Sequence, residues 1–352
     1  MKNLNILLIS PDFNYCCGRS KYFFLLSKYL TKRGHKVFFI TNGGDSLDRL
    51  INLGINQSTI KQLLSRNPLQ IFATLIKINK IINHNNIDLV HTNHRLTELY
   101  ITILNIFLKS KTKSIVTVLS ILKRKYGIEY KSKHIIAVSK SVKENLINVF
   151  SVNPEYIKII PHFIEDNNSC NIQKYESGKR IIFSAGRFHP EKNYIVLLKA
   201  VNRIPEENLR IVLIGQGKEK KLYEDYARLN NIDLEIIAPR DDISELFIKS
   251  TICVLPSRID PFPHFMLEAG IHKRPFIGSD IDGIGELIID KVNGLKFESN
   301  NDFDLAEKIK LLLRNKELAE KCADNLFETV KQKYSPDNII KQTEDLYYQA
   351  LS

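Results

Sequence analysis

The sequence predicts an α/β protein made of two doubly wound units. Three observations carry this. Short apolar, β-branched runs alternate with helix-length amphipathic stretches along the whole chain. The alternation stops at a polar stretch over residues 165–179 and restarts at Ile181. The run from Cys253 to Glu268 reads as strand, three-proline loop and helix. That order sets a loop at the carboxyl end of a sheet, where open α/β folds bind ligands. The 352 residues, 43% of them apolar, suit two domains of roughly 150 residues each. The expected boundaries are 1–166 and 167–335, with a terminal segment over 336–352.

In the first half, residues 5–10 (Asn-Ile-Leu-Leu-Ile-Ser) form a buried strand, and 11–20 a loop holding Gly18. A helix over 21–33 is stopped by Gly34, and 35–41 is the next strand. This is a right-handed strand–helix–strand unit with a single glycine in its first turn, so the Gly-x-Gly-x-x-Gly dinucleotide signature is absent. Helices follow at 68–83 and 98–108, with strands at 87–91, 114–119, 134–138 and 157–161. Ser139 and Ser141 can cap the helix that ends near Phe150.

The second half repeats the pattern. Strands are expected at 181–185, 209–214, 234–238, 252–255 and 275–278. Helices end near Val201, Leu229 and Ser250, and one starts at His264. Gly215-Gln216-Gly217 and Asp282-Gly283-Ile284-Gly285-Glu286 are glycine turns. Helices over 303–314 and 317–331 are broken by Pro336 before a terminal helix over 338–351.

Charge is uneven. Residues 1–166 hold 24 Lys+Arg against 10 Asp+Glu, a net +14, whereas the rest holds 27 against 29, a net −2. A basic half suggests an anionic partner on that side: an acidic lipid surface, a lipid-linked phosphate or nucleic acid. Lys-rich surfaces are also ordinary in a chain so heavy in Asn, Ile and Lys. The densest stretch, 109–133, has eight basic residues and one Glu, interleaved with Ile121, Leu122, Tyr126 and Tyr130. That is the pattern of a membrane-surface segment. No run of about 18 apolar residues occurs to span a membrane, and the run from Ile6 to Ile9 is too short for a signal core, so cytoplasmic residence is expected. The five scattered cysteines signal neither zinc nor a disulfide frame; Cys16-Cys17 is the one conceivable reactive pair.

Several side chains suit carbohydrate and phosphate chemistry. Arg187 and Lys192 follow the first strand of the second half, where a guanidinium and an ammonium beside backbone N–H groups fit a diphosphate. Asp260 and Glu268 lie eight apart, one in the loop and one in the helix, and two acceptor-only carboxylates fit a ligand rich in hydroxyls. A solvated basic turn is the plainer reading of Arg187 and Lys192 taken alone.

Together these pieces resemble family 4 glycosyltransferases. The second half carries Ala185-Gly186-Arg187 through Glu191-Lys192-Asn193, Ile214-Gly215-Gln216-Gly217, Val254-Leu255-Pro256-Ser257, Asp260-x7-Glu268, Gly283-Ile284-Gly285-Glu286 and Asn293-Gly294-Leu295. The first half carries Gly18, Arg33-Gly34-His35-Lys36-Val37, Asp88-Leu89-Val90-His91, Ile136-Ala137-Val138-Ser139 and Ile159-Ile160-Pro161.

The resemblance implies a GT-B fold, two Rossmann-like domains facing a central cleft, and a retaining, nucleotide-sugar-dependent transferase of the hexosyl type. It implies that Arg187 and Lys192 hold the donor diphosphate, that Glu268 accepts from the ribose and that Asp260 contacts the donor sugar. Gly18, Gly186 and Gly215 would let backbone approach the donor, Ala238 and Pro239 would pass the base, and His264, Phe265 and Met266 would offer backbone N–H groups. His91, Asn93 and His94 would stand on the acceptor side. The terminal helix, 336–352, would pack back on the first domain. No metal or other cofactor is implied. The partners would be a nucleotide-diphosphate sugar, a glycan or lipid-linked acceptor and an anionic inner membrane face, with no nucleic acid, in cell-surface polysaccharide assembly.

Three positions depart from the family pattern. Asp260 stands where Glu is usual, Pro263 where many relatives have Gly, and Asn93 where many have His. The competing expectations are a sugar-nucleotide epimerase or hydrolase using His94, His189 and His264, and a catalytically silent binding protein on the same fold.

Overall fold

The computed structural model describes residues 2–15, 17–107, 112–165, 179–240 and 242–352. Cys16, and with it the Cys16-Cys17 pair, lies outside them, as do most of the 165–179 stretch and the expected 166/167 boundary. The chain divides into two units, Met1–Pro161 with Pro336–Ser352, and His162–Ser335.

Unit 1 holds strands β1 (Asn5–Ile9), β2 (Lys36–Thr41), β3 (Asn56–Thr59), β4 (Leu89–Thr92), β5 (Lys113–Val118), β6 (Ile135–Ala137) and β7 (Ile157–Ile159). They make one seven-stranded parallel sheet in the order β3-β2-β1-β4-β5-β6-β7. Helices α1 (Gly18–Lys32), α2 (Asp48–Asn52), α3 (Pro68–His84), α4 (Arg95–Phe107) and α5 (Lys140–Asn148) connect them. Both faces of the central strands are covered, which is why β1 and β2 read as continuous apolar runs rather than alternating ones. Ile78 and Ile82 of α3 and Tyr100, Ile101 and Leu104 of α4 share one cluster with Leu7, Phe38 and Val90, so these two helices lie side by side on one sheet face.

Local signals account for most helix ends. Gly34, at φ 91°, closes α1: its N–H bonds the Thr31 carbonyl while that of His35 reaches Leu30. Asn67 caps α3 by accepting from the N–H groups of Leu69 and Gln70, with Pro68 at the first helical position. Ser139 accepts from the Val142 N–H at α5, whereas Ser141 bonds the Ser139 hydroxyl instead.

Unit 2 holds β8 (Arg180–Ala185), β9 (Leu209–Ile214), β10 (Asp233–Ile237), β11 (Ile252–Leu255), β12 (Phe276–Ser279) and β13 (Leu295–Phe297), in the order β10-β9-β8-β11-β12-β13. Its helices are α6 (Tyr194–Asn202), α7 (Lys220–Leu229), α8 (Ser244–Lys249), α9 (His264–Ile271), α10 (Asp282–Leu287), α11 (Asp302–Arg314) and α12 (Lys316–Lys333). Its core gathers Leu197, Val201, Ile211, Leu213, Val254, Leu305 and Ile309. The last helix, α13 (Pro336–Leu351), belongs to unit 1 and packs on α1 and β5.

The structure corrects several expectations. Gly18 is the first residue of α1, not part of the preceding loop. α4 starts at Arg95 because His94 Nδ1 accepts the Leu96 N–H, a cap that histidine seldom supplies. Arg187 and Lys192 sit wholly in a loop, since α6 begins only at Tyr194. Pro336 opens α13 instead of preceding it, because a first-turn N–H has no helical partner to lose. The short polar strand β3, the one-turn α2 and the strand β13 are additions.

Candidate active site

In an open parallel sheet the strand order reverses at one point, and the loops on either side part to leave a crevice at the carboxyl ends. In unit 2 the reversal falls between β8 and β11. The loop after β8 carries Arg187 and Lys192, and the loop after β11 carries Asp260. Lys192 Nζ pairs with Asp260 Oδ2 across this point. Ser257 donates its hydroxyl to the same Oδ2 (3.0 Å), and the Asp260 N–H donates to Asp282 Oδ2 (2.9 Å). Asp260 is only 6% exposed, so its charge needs this pairing. Burial, with the carboxylates of Asp260 and Glu286 nearby, pushes the Asp282 carboxyl up from the usual range, against the pull of the Asp260 N–H.

Backbone contacts set the loops. The Arg258 N–H donates to the Glu191 carbonyl (2.7 Å), tying the β11 loop to the β8 loop. The Gly186 N–H reaches Ile214 (2.9 Å) and that of Phe188 reaches Gln216 (2.8 Å), so the β8 and β9 loops run together. They approach so closely that a Cβ on Gly215 would stand 2.0 Å from the Gly186 carbonyl oxygen. A Cβ on Gly283 would stand 2.0 Å from the Pro261 carbonyl oxygen, so this glycine is what lets the Asp260 loop lie on α10.

Arg187 is exposed and makes no side-chain bond among the described residues, so its guanidinium is available to a ligand. Glu268 lies in α9 at 9% exposure. Phe265 packs on Phe183 and Phe247, and Met266 is fully buried. Their side chains are core; what α9 offers to a ligand is the first-turn N–H groups of His264, Phe265 and Met266. The His264 ring stacks on His162 at 4.2 Å. Ala238 is exposed and Pro239 half-buried just past β10. Ser257 and Asp282 were not singled out from sequence, although both sit inside the motifs quoted above.

In unit 1 the reversal falls between β1 and β4, and the residues just past those strands are Ser10 to Asp12 and Asn93 to His94. Asn93 Nδ2 donates to Ser10 Oγ (2.9 Å), and Ser10 Oγ donates onward to the Asp12 carbonyl (3.0 Å). The serine proton being used, the amide orientation is fixed. Asn93 Oδ1 is left buried without a donor among the described residues. A buried acceptor left empty costs about 1–3 kcal/mol, which a hydroxyl entering this crevice would recover. Burial, helped by Arg19 and Arg95, pulls His94 down to about 4, and its Nδ1 accepts from Leu96, so its Nε2 carries the proton. Arg19 pairs with Asp12 beside it. His91 is in the core: Nδ1 meets the Tyr347 hydroxyl and Nε2 the Thr117 hydroxyl, both at 2.6 Å. Burial lowers it to about 3. It is a structural residue, and its ring does not face the crevice that Asn93 and His94 border.

Two such sheets, the second bearing a cation pair and carboxylates at its reversal point, define a GT-B transferase that uses a nucleotide sugar. Comparison with known proteins gives the family. Residues 18–168 match the model of Glycosyltransferase Family 4 and residues 167–329 that of Glycosyl transferases group 1. The chain belongs to the family 4 glycosyltransferases. It is 29% identical over 289 residues to an uncharacterized glycosyltransferase of Methanocaldococcus jannaschii, covering 77% of this chain and 78% of that one. It is 30% identical over 208 residues to the N,N'-diacetylbacillosaminyl-diphospho-undecaprenol alpha-1,3-N-acetylgalactosaminyltransferase of Campylobacter jejuni, covering 57% and 54%. Among solved structures, Anabaena HepE in complex with UDP and glucose superposes with a TM-score of 0.83 at 15% identity, covering 97% of this chain and 99% of that one. The family matches and the transferase relatives support a transferase over the epimerase and silent-protein readings.

Proposed function

We propose that the chain is a retaining glycosyltransferase that moves a hexosyl unit from a nucleoside-diphosphate sugar to a hydroxyl of a glycan or lipid-linked acceptor, in cell-surface polysaccharide assembly. The observation that carries the reading is the Lys192–Asp260 pair across the reversal point of unit 2, with the unpaired Arg187 guanidinium on the same loop. A donor diphosphate draws Lys192 toward itself and receives Arg187, and both cations stabilise the charge that grows as the diphosphate leaves. No metal is needed for that task. Freed of Lys192, Asp260 accepts from sugar hydroxyls, while Glu268 accepts from the ribose.

The bond from the anomeric carbon to the phosphate oxygen breaks, and a bond to the acceptor oxygen forms on the same face. The acceptor's proton passes to the leaving phosphate oxygen. Asn93 Oδ1 and His94 Nε2–H hold the acceptor's hydroxyls. The lipid-linked acceptor is supported by the Campylobacter relative, whose name specifies a diphospho-undecaprenol substrate, and the UDP held by HepE supports a uridine donor. The +14 half suits a peripheral place at the cytoplasmic face of a membrane and, lacking a nucleic-acid motif, is not read as binding nucleic acid. No helix among the described residues is long and apolar enough to cross a membrane.

Calorimetric titration with UDP, GDP, ADP and CMP, with chelator present, tests the donor site. Binding of one diphosphate, lost in Arg187→Ala, is expected. Binding unchanged in that variant refutes the assignment. Proton NMR of the product's anomeric coupling decides retention.

A further inference from the structure

The acids of unit 1 are placed unevenly. No Asp or Glu occurs over residues 49–87, nor over 99–128. The two carboxylates between those stretches are spent on backbone: Asp88 accepts the Asn5 N–H (2.7 Å), and Glu98, 1% exposed, accepts those of Tyr130, Lys131 and Ser132. Glu129, on the segment after β5, is buried too: it accepts the Tyr126 and Ile128 N–H groups and pairs with Arg95 (3.5 Å). The surface built from α3, α4 and that segment therefore presents cations with no exposed carboxylate among its described residues. Arg66, Lys77 and Lys80 form no ion pair among the described residues.

The same surface holds seven of the thirteen exposed large hydrophobic side chains among the described residues. Leu69, Phe72 and Ile76 of α3 are 80%, 64% and 50% exposed. Their spacing of three and four puts them on one stripe, opposite the buried Thr74, Ile78 and Ile82, and Lys80 continues it one turn on. Ile106 and Phe107 are exposed at the end of α4, beside α3. Tyr126 and Ile128 are exposed on the segment after β5. That segment is fixed to α4: Arg95 Nη1 donates to the Arg124 carbonyl (3.1 Å) and stacks over the Tyr126 ring at 4.6 Å.

We propose that this face, with α3 as its apolar keel, docks on a bilayer surface rich in anionic headgroups. The apolar stripe enters the interface, and Lys77, Lys80, Arg66 and the Lys123–Lys125 run meet the lipid phosphates. Charge complementarity selects this occupant: a soluble partner of mixed charge would meet no carboxylate to pair its own cations. The proposal extends the lipid-linked reading above by naming the partner surface, and its readout involves no sugar transfer.

The test is co-sedimentation of the full chain with phosphatidylcholine vesicles, pure or containing about 30 mol % phosphatidylglycerol, at about 0.1 M and about 0.5 M salt. Binding to the anionic vesicles is expected to exceed that to neutral ones by about tenfold and to weaken with salt. Leu69→Ser/Phe72→Ser/Ile76→Ser and, separately, Lys77→Glu/Lys80→Glu should each lose it. All of these side chains are exposed, so an unchanged unfolding midpoint and UDP affinity confirm an intact fold. Failure of the wild type to bind, equal binding to both vesicles, or retained binding by the triple variant overturns the proposal. So does a dimer of the wild type in sedimentation velocity that the triple variant abolishes, since a second copy would then be the occupant. If vesicles bind as expected but no diphosphate does, the docking stands and the donor assignment falls.

Discussion

At the residue scale, the centre of the site is one carboxylate oxygen with two donors. Asp260 Oδ2 meets both Lys192 and Ser257. Lys192→Met removes transfer and also leaves a buried anion unpaired, which should lower stability by about 3 kcal/mol. Urea unfolding should show that loss, and Lys192→Met/Asp260→Asn should recover most of it while staying inactive. Arg187→Ala, by contrast, should abolish transfer with stability unchanged within about 0.5 kcal/mol, because its side chain is exposed and makes no hydrogen bond or ion pair among the described residues. Two buried imidazoles add a pH dependence. Burial holds His91 and His162 near 3, so they stay neutral in the fold while the unfolded chain takes protons below its usual histidine value. Stability is then full above about pH 6.5 and falls as pH drops, by about 2 kcal/mol per histidine between pH 7 and pH 5. His94, lowered to about 4, acts in the same direction, so His91→Gln should remove about half of the share of unit 1 in a pH series of unfolding curves. Type and spacing singled out Arg187, Lys192, Asp260 and Glu268, but only the family resemblance raised the two cations above a solvated basic turn. The partners Ser257 and Asp282 were not singled out, because nothing in their local sequence tells which backbone they will meet.

At the element scale, glycines and buried carboxylates place the loops. Gly283→Ala drives a methyl into the Pro261 carbonyl and should cost about 2 kcal/mol, with weaker diphosphate binding by calorimetry because the Asp260 loop must move. Glu98→Ala frees the N–H groups of Tyr130, Lys131 and Ser132, and hydrogen exchange at those three amides should rise while that of β4 holds. Apolar runs made β1, β2, β8, β9 and β11 readable, since strands buried on both faces leave no polar alternation. β3, Asn-Gln-Ser-Thr, lies at the sheet edge with no buried residue, so periodicity had nothing to report. The start of α4 was misread for another reason: its capping acceptor is an imidazole.

At the scale of the whole molecule, unit 1 is closed by a helix from the far end of the chain. Glu344 of α13 accepts from Arg33 Nε (2.9 Å) and contacts His35 Nε2 (3.0 Å), whose Nδ1 accepts the Leu4 N–H. Glu344→Ala should cost unit 1 about 2 kcal/mol, seen as a lower urea midpoint for the transition that unit 1 reports. The packing of α13 on unit 1 was expected from the family resemblance. The residues that receive it were not, because His91 reads as a site residue until Tyr347 is seen against it.

This discontinuity orders the birth of the protein. The ribosome completes the whole of unit 2, residues His162 to Ser335, before it makes the helix that unit 1 awaits. Until then the nascent first sheet has its Thr117 hydroxyl but not its Tyr347 hydroxyl for His91, and the groove beside α1 and β5 lies open. Unit 2 should therefore resist protease first on a stalled nascent chain, although unit 1 emerges earlier.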